Sequence, residues 1–173
     1  SAPSDHAIWV SNEWDGTVTV IEGGTYNVLA TIDVGYRPRG IQAAADGRRV
    51  YVALSDMEEQ EQGDGDAIVA IDTKTYEIVA EFEAGSDPEQ FALSSDGHRL
   101  YAANEDAGTA SITDLDTATV LATLIVGIEP EGAGISPDNR WIYITAETSN
   151  TVSVIDAQTR EVAATFPVSY THL

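Results

Sequence analysis

Apolar residues along this chain fall in short runs broken at regular intervals by Gly, Pro, Asp, Asn and Ser. Runs such as Ala67–Ile71 and Val152–Ile155 do not alternate strictly between apolar and polar, which predicts strands in sheets covered on both faces. Asp46-Gly47 and Asp96-Gly97, set between such runs, are strong hairpin signals. Asp138-Asn139 is a weaker one, because Asn also tolerates positive φ. The next turn reads Asp-x-x-Thr three times, at Asp72/Thr75, Asp114/Thr117 and Asp156/Thr159. A short Asp side chain there accepts a hydrogen bond from the backbone two residues on and closes the turn, so these aspartates are assigned a structural role.

The same elements recur at a fixed period, and a fixed period decides the fold. Gly85–Val126 and Gly127–Val168 are matching units of 42 residues. The unit before them, Gly35–Ala84, has 50 residues, the excess falling between Tyr51 and Asp72. Upstream, Trp9, Glu22 and Gly35 keep the spacing of Tyr143, Asp156 and Ser169, so the chain opens partway through a unit. Each unit holds four β-type runs, predicted in the third at Gln90–Leu93, Arg99–Ala103, Thr109–Thr113 and Val120–Val126. Four-stranded antiparallel blades stacked face to face around an axis meet all of these conditions, which predicts an all-β fold, a β-propeller. Residues 1–168 form a partial propeller, about three and three-quarter blades, divided at 6–34 (incomplete), 35–84, 85–126 and 127–168; residues 169–173 are an off-repeat tail and are read as non-native sequence.

Charge is where composition changes the picture. There are 29 Asp and Glu against 8 Lys and Arg, a formal net charge of −21. Such a field repels phosphate backbones, so nucleic acid is not an expected partner, and no apolar run is long enough to insert into a membrane. The absence of Cys removes disulfides, thiolate nucleophiles and Cys-ligated zinc together. The opening Ser1-Ala-Pro-Ser has neither an initiator Met nor a signal-peptide core, which fits either an exported, trimmed chain or the edge of a longer one.

Candidate chemistry is sparse. His6, His98 and His172 have no metal-ligand spacing and form no Ser-His-Asp set, so no catalytic residue is assigned. Trp9 and Trp141 lie near the Tyr51/Tyr101/Tyr143 strand position and are expected in the core; Trp14 is expected in a loop. The acidic loop from Ser55 to Asp66 includes Gln62-Gly-Asp-Gly-Asp, which makes Asp64 and Asp66 weak calcium candidates without the full ligand spacing of a calcium loop. If each unit runs up and down through four strands, the Gly-x-x-Pro openings share one face with the loops after the second strand. That face gathers Glu13, Asp87, Glu89, Glu105, Glu129, Glu131 and Glu147 with Arg37 and Arg39, while Arg48, Arg49, Arg99, Arg140, Lys74 and Arg160 fall on the opposite one. The acidic face includes the mouth of the central channel. There Arg37, Arg39, Glu89, Gln90 and Glu131 are the expected contacts for a protein or small-molecule ligand.

The ordered series Ser11-Asn-Glu, Tyr101-Ala-Ala-Asn-Glu and Thr151–Asp156 resembles the YVTN-repeat β-propellers. The successive openings Arg37-Pro-Arg-Gly, Asp87-Pro-Glu-Gln-Phe-Ala-Leu and Glu129-Pro-Glu-Gly, followed by Thr148-Ser-Asn, look most like the propeller protein associated with PQQ-dependent catabolism. The resemblance implies a ring of seven blades, a periplasmic or secreted location, and a non-catalytic binding module beside quinoprotein alcohol oxidation. It ties PQQ to the system and not to a site in this chain. The alternatives are a propeller enzyme such as a lactonase or oxidoreductase, and a surface-layer or adhesion protein using the repeats structurally.

Overall fold

The computed structural model describes residues 6–55 and 66–168. Among them the fold is all-β, with one 3-10 turn at Glu13–Asp15. The first sheet has three strands: β1 (Ala7–Asn12), β2 (Thr17–Glu22) and β3 (Val28–Asp33). Three four-stranded sheets follow. They are β4 (Pro38–Ala43) to β7 (Ile78–Phe82), β8 (Pro88–Leu93) to β11 (Thr119–Ile125), and β12 (Pro130–Ile135) to β15 (Glu161–Pro167). Their middle strands are β5 (Arg49–Leu54), β6 (Ala67–Asp72), β9 (Arg99–Asn104), β10 (Thr109–Asp114), β13 (Trp141–Ala146) and β14 (Thr151–Asp156). Every sheet is an antiparallel meander in chain order. β8 packs against both β4 and β12, so the first strands of successive sheets converge as the innermost strands of a propeller-like arc.

Packing explains why the strands are apolar on both faces. In β5, Tyr51 and Ala53 join Ile68, Ala70, Phe82, Phe91, Leu93 and Leu100 in one core, while Val50, Val52 and Leu54 join Val18, Val69 and Ile71 in another. In β9, Leu100 and Ala102 face the first of these, and Tyr101 and Ala103 face a third core with Ile112, Ile142 and Ile144. Alternate side chains of one strand therefore serve the two neighbouring sheets. Among the described residues nothing packs on the outer faces of the first and last sheets, where Ile8, Val10 and Tyr143 are each 40% exposed.

The strand reading of the third unit is close, but its innermost strand begins at Pro88, two residues before Gln90. Proline has no N–H to give to the ladder and sits well as the first residue of a strand. The aromatic assignments divide. Trp9 packs on the first inter-sheet core and meets Tyr76 edge-on at 5.8 Å. Trp141 is half-buried at the start of β13, with the Arg140 guanidinium 4.7 Å above its ring, and belongs to none of the three buried clusters. Among the described residues no further sheet packs on the face of the sheet that carries it. Trp14 is 79% exposed, as a loop residue.

The turns work through their aspartates. Asp72 Oδ1 accepts from the N–H of Lys74 (2.8 Å) and Thr75 (2.9 Å), and Asp114 Oδ1 accepts from Asp116 and Thr117, both at 2.9 Å. Asp156 Oδ1 accepts from Gln158 at 2.8 Å and Thr159 at 3.3 Å. These N–H donors hold all three carboxyls below the ordinary carboxylate range. In the other hairpin, Asp46, Asp96 and Asp138 accept from Arg48, His98 and Arg140 N–H. Asn139 takes the left-handed conformation, φ 59°, that Gly47 and Gly97 take in the sibling turns.

Two outcomes follow from this geometry. Because the turn aspartates titrate lower in the folded chain than in the unfolded one, their stabilisation is complete above the ordinary Asp pKa of 3.8 and is lost as pH falls through the lower folded values. Asp114→Asn is therefore less stable than wild type at neutral pH and loses less on acidification, as pH-dependent thermal melts will show. At Gly40 an added Cβ would lie 2.7 Å from the Glu89 carbonyl oxygen, whereas at Gly134 nothing lies within 4 Å. Urea titrations should show Gly40→Ala destabilised by about 1–3 kcal/mol and Gly134→Ala changed by no more than about 0.5 kcal/mol.

Candidate functional site

The blade openings are built by a bulge that repeats in all three complete sheets. Pro38 pairs with Leu54 and Ile41 with Val52, so Arg39 and Gly40 together oppose Ala53. Pro88 pairs with Asn104 and Phe91 with Ala102, so Glu89 and Gln90 oppose Ala103. Pro130 pairs with Ala146 and Gly132 with Thr145, leaving Glu131 as the extra residue. A bulge takes a residue out of the ladder and re-aims its side chain, a device common beside functional sites. Here it does so at Arg39, Glu89 and Glu131, at the equivalent place in each blade. The preceding residues Arg37, Asp87 and Glu129 all have positive φ, at 29°, 53° and 55°.

The loops after the second strand supply the other half of the site. Asn12 donates to Thr17 and Thr19 Oγ1 at 3.1 and 2.8 Å, and Asn104 to Thr109 Oγ1 at 3.3 Å. The asparagine clamps its own hairpin, and the glutamate after it, Glu13 or Glu105, is carried over the opening of the same face. Arg37 Nε and Arg39 Nη1 both lie 3.4 Å from Glu13 Oε1. Arg39 Nη2 also pairs with Glu89 Oε2. Asp66 Oδ2 accepts the Asp87 N–H at 3.1 Å, and the Asp87 carbonyl accepts the Glu105 N–H at 2.9 Å.

Glu89 is only 5% exposed. Burial pushes its carboxyl up to about 8; the facing Glu105 and nearby Asp87 add to the shift and the Arg39 guanidinium opposes it. Glu131 is raised as well, by burial first and then by Glu147. One carboxylate oxygen from each of Asp87, Glu89 and Glu105 lies within 4.8 Å of the other two. Glu89 Oε1 and Asp87 Oδ1 are buried and have no hydrogen-bond partner among the described residues.

The far ends of the sheets are different. Arg99 pairs with Asp114 at 2.8 Å, Arg140 with Asp156 at 3.6 Å and Arg48 with Asp46 at 3.8 Å. His98 Nδ1 meets Asp116 at 2.7 Å. The basic side chains there largely brace the aspartate turns.

Of the residues singled out in the sequence, the structure brings Arg37, Arg39 and Glu89 into one charged row with Glu13, and Glu131 continues that row into the next blade with Glu147. Gln90 lies beside it, its amide oxygen 2.8 Å from where a Cβ on Gly40 would stand. Asp66 holds the Asp87 backbone, while Asp64 and the rest of the acidic loop through residue 65 lie outside the described residues, as does the 169–173 tail. Sequence reasoning placed Asp87, Glu13 and Glu105 on this face but did not count them among the site residues. The signal was the Asn-Glu pair at 12–13 and 104–105, repeated in register with the blade openings.

An arc of stacked antiparallel four-stranded sheets, with bulged openings gathering charge at one end, defines a β-propeller-like repeat protein. The chain belongs to the choice-of-anchor I domain family, whose model matches residues 10–172. A 60-residue segment, 35% of the chain, is 33% identical to the uncharacterized protein YncE of Salmonella typhi and covers 17% of that protein; the same holds for YncE of Salmonella typhimurium. Among solved structures it is similar to Kuenenia stuttgartiensis hydrazine synthase, with a TM-score of 0.81 at 20% identity over 92% of this chain and 45% of that one. It is also similar to a functionally unknown protein from Desulfotomaculum acetoxidans, with a TM-score of 0.78 at 11% identity over 94% of this chain and 53% of that one. At these identities the likeness is one of fold. The chain spans about half the length of the solved chains it resembles.

Arg39 neutralises a carboxylate that is already short of partners. Replacing it with Gln leaves Glu13 to Arg37 alone and the buried Glu89 carboxyl without its guanidinium partner, and should cost about 2 kcal/mol. Arg48→Gln, at a side chain 82% exposed, should cost no more than about 0.5 kcal/mol. Chemical denaturation of the two variants in parallel checks the contrast.

Proposed function

We propose that this chain is an exported β-propeller binding module that takes a protein or small-molecule partner on the face formed by its blade openings. The observation that carries the reading is the repeated bulge, which aims Arg39, Glu89 and Glu131 out of the ladder at matching positions in successive blades. Glu131 would meet the cationic part of the partner, and Arg37 and Arg39 an anionic group on it, with Gln90 as a neutral hydrogen-bonding neighbour and the buried Glu89 holding the Arg39 guanidinium in place from behind. The other end supplies the contrast, because there arginines are matched with turn aspartates, whereas at the openings Glu131 faces the carboxylates of Glu147 and Glu105.

The choice-of-anchor I family supports a cell-surface or extracellular setting, and the absence of any helix long and apolar enough to cross a membrane among the described residues is compatible with it. The sequence resemblance to propellers of PQQ-dependent catabolism supports a periplasmic module beside a quinoprotein oxidation system, within a ring of seven blades. Both support a setting outside the cytoplasm. His98 is held by Asp116 in a turn away from the openings, so the proposed contact face does not draw on it.

A photocrosslinking residue placed at position 131 in the native host should capture a discrete partner, whereas one at position 116 should not. Against that partner, Glu89→Gln with Glu131→Gln should weaken binding while Arg99→Gln leaves it unchanged. Association should slow steeply with added salt, because exposed charges are screened within about 10 Å at 0.1 M. Equal capture from both ends, or salt-independent association, overturns the reading.

A further inference from the structure

We infer that Asp87, Glu89 and Glu105 form a binding site for a hard divalent cation, calcium by its size and oxygen preference. One oxygen from each carboxylate lies within 4.8 Å of the other two, a spacing that one ion reaches with oxygens at about 2.3–2.6 Å. The donors are all carboxylate oxygens, which suits calcium and not a softer metal.

The second observation is independent of the clustering. Glu89 gives Oε2 to Arg39, and its other oxygen, Oε1, is buried without a hydrogen-bond partner on a side chain 7% exposed. Asp87 Oδ1 is buried and unpartnered in the same way. Buried acceptor oxygens are tolerated where a donor or a cation meets them. Among the described residues two backbone donors at this opening are already used: Asp66 takes the Asp87 N–H, and the Asp87 carbonyl takes the Glu105 N–H. Those two bonds fix the backbone of two ligands before any ion arrives, which favours binding. Arg39 on the outer oxygen of Glu89 would orient that ligand, as carboxylate ligands are commonly oriented by a hydrogen bond from behind. Asp87 and Glu105 are only half-buried, so water completes the coordination sphere from the open side.

The neighbouring blade provides the internal comparison. Glu129, Glu131 and Glu147 stand at the equivalent positions, yet among the described residues they do not converge as the first three do. The Glu129 carboxylate there already has a donor in the Thr148 hydroxyl. In the preceding blade the first two positions are Arg37 and Arg39. The site is therefore particular to one blade and not a consequence of general acidity.

Calorimetric titration of the EDTA-treated chain with calcium chloride should show one ion per chain, and calcium should raise its melting temperature. Asp87→Asn and Glu105→Gln should each weaken binding at least tenfold. Glu131→Gln combined with Glu147→Gln should leave it within twofold. Both ligand variants change half-buried side chains, and circular dichroism checks that they fold. A melting temperature indifferent to calcium overturns the site by itself, as does binding that falls equally in the two sets of variants. Magnesium bound as tightly as calcium overturns the assignment to calcium. Ion binding requires no partner, so its failure and that of the partner-binding reading are distinguishable.

Discussion

A sheet that is apolar on both faces must be covered on both, and every other feature of this chain depends on that constraint. β5 and β9 each divide alternate side chains between two cores, so neither sheet can be buried by a single partner layer. Stacking further sheets on each side buries both faces, and strand twist turns the stack into an arc. Within the arc the first strands come close enough that Gly40 has no room for a side chain against the Glu89 backbone. The crowding near the axis therefore comes from the same packing that makes the core.

Convergence of the inner strands has an electrostatic consequence. It gathers groups far apart in sequence, Glu13 with Arg37 and Arg39, then Glu89 with Glu105, onto one end of the sheets. The supply of cations is uneven. Arg37 and Arg39 serve Glu13 and Glu89, and no equivalent pair stands in the two later blades, whose openings carry Asp87, Glu89, Glu129 and Glu131. At the opposite end the balance is local, because Arg48, Arg99 and Arg140 each meet a turn aspartate. A net charge of −21 thus becomes an asymmetry between the two ends only through the way the sheets are stacked.

The repeat also shows which parts of a blade are specified locally. An Asp-x-x-Thr turn closes on its own backbone, and its carboxylate is engaged with N–H groups two and three residues on. Asn139 can replace Gly47 and Gly97 because only one left-handed residue is required there. Trp141 misleads by the same logic reversed. Its position in the repeat resembles that of core residues, but burial depends on a neighbouring sheet, and among the described residues none packs on that face of its sheet.

The sequence by itself determined the period, the hairpins, the strand runs and the all-β class, because each rests on contacts a few residues apart and on a pattern that repeats in register. It also placed Arg37, Arg39, Glu89, Gln90 and Glu131 on one face. Only the tertiary structure decided that Glu89 is buried while Glu131 is half-exposed, that Asp87 and Glu105 stand beside it, and that Arg39 is shared between Glu13 and Glu89. Those facts depend on how far one blade leans on the next and on where a bulge turns a side chain. Neither distance is written in a strand's own alternation of apolar and polar residues.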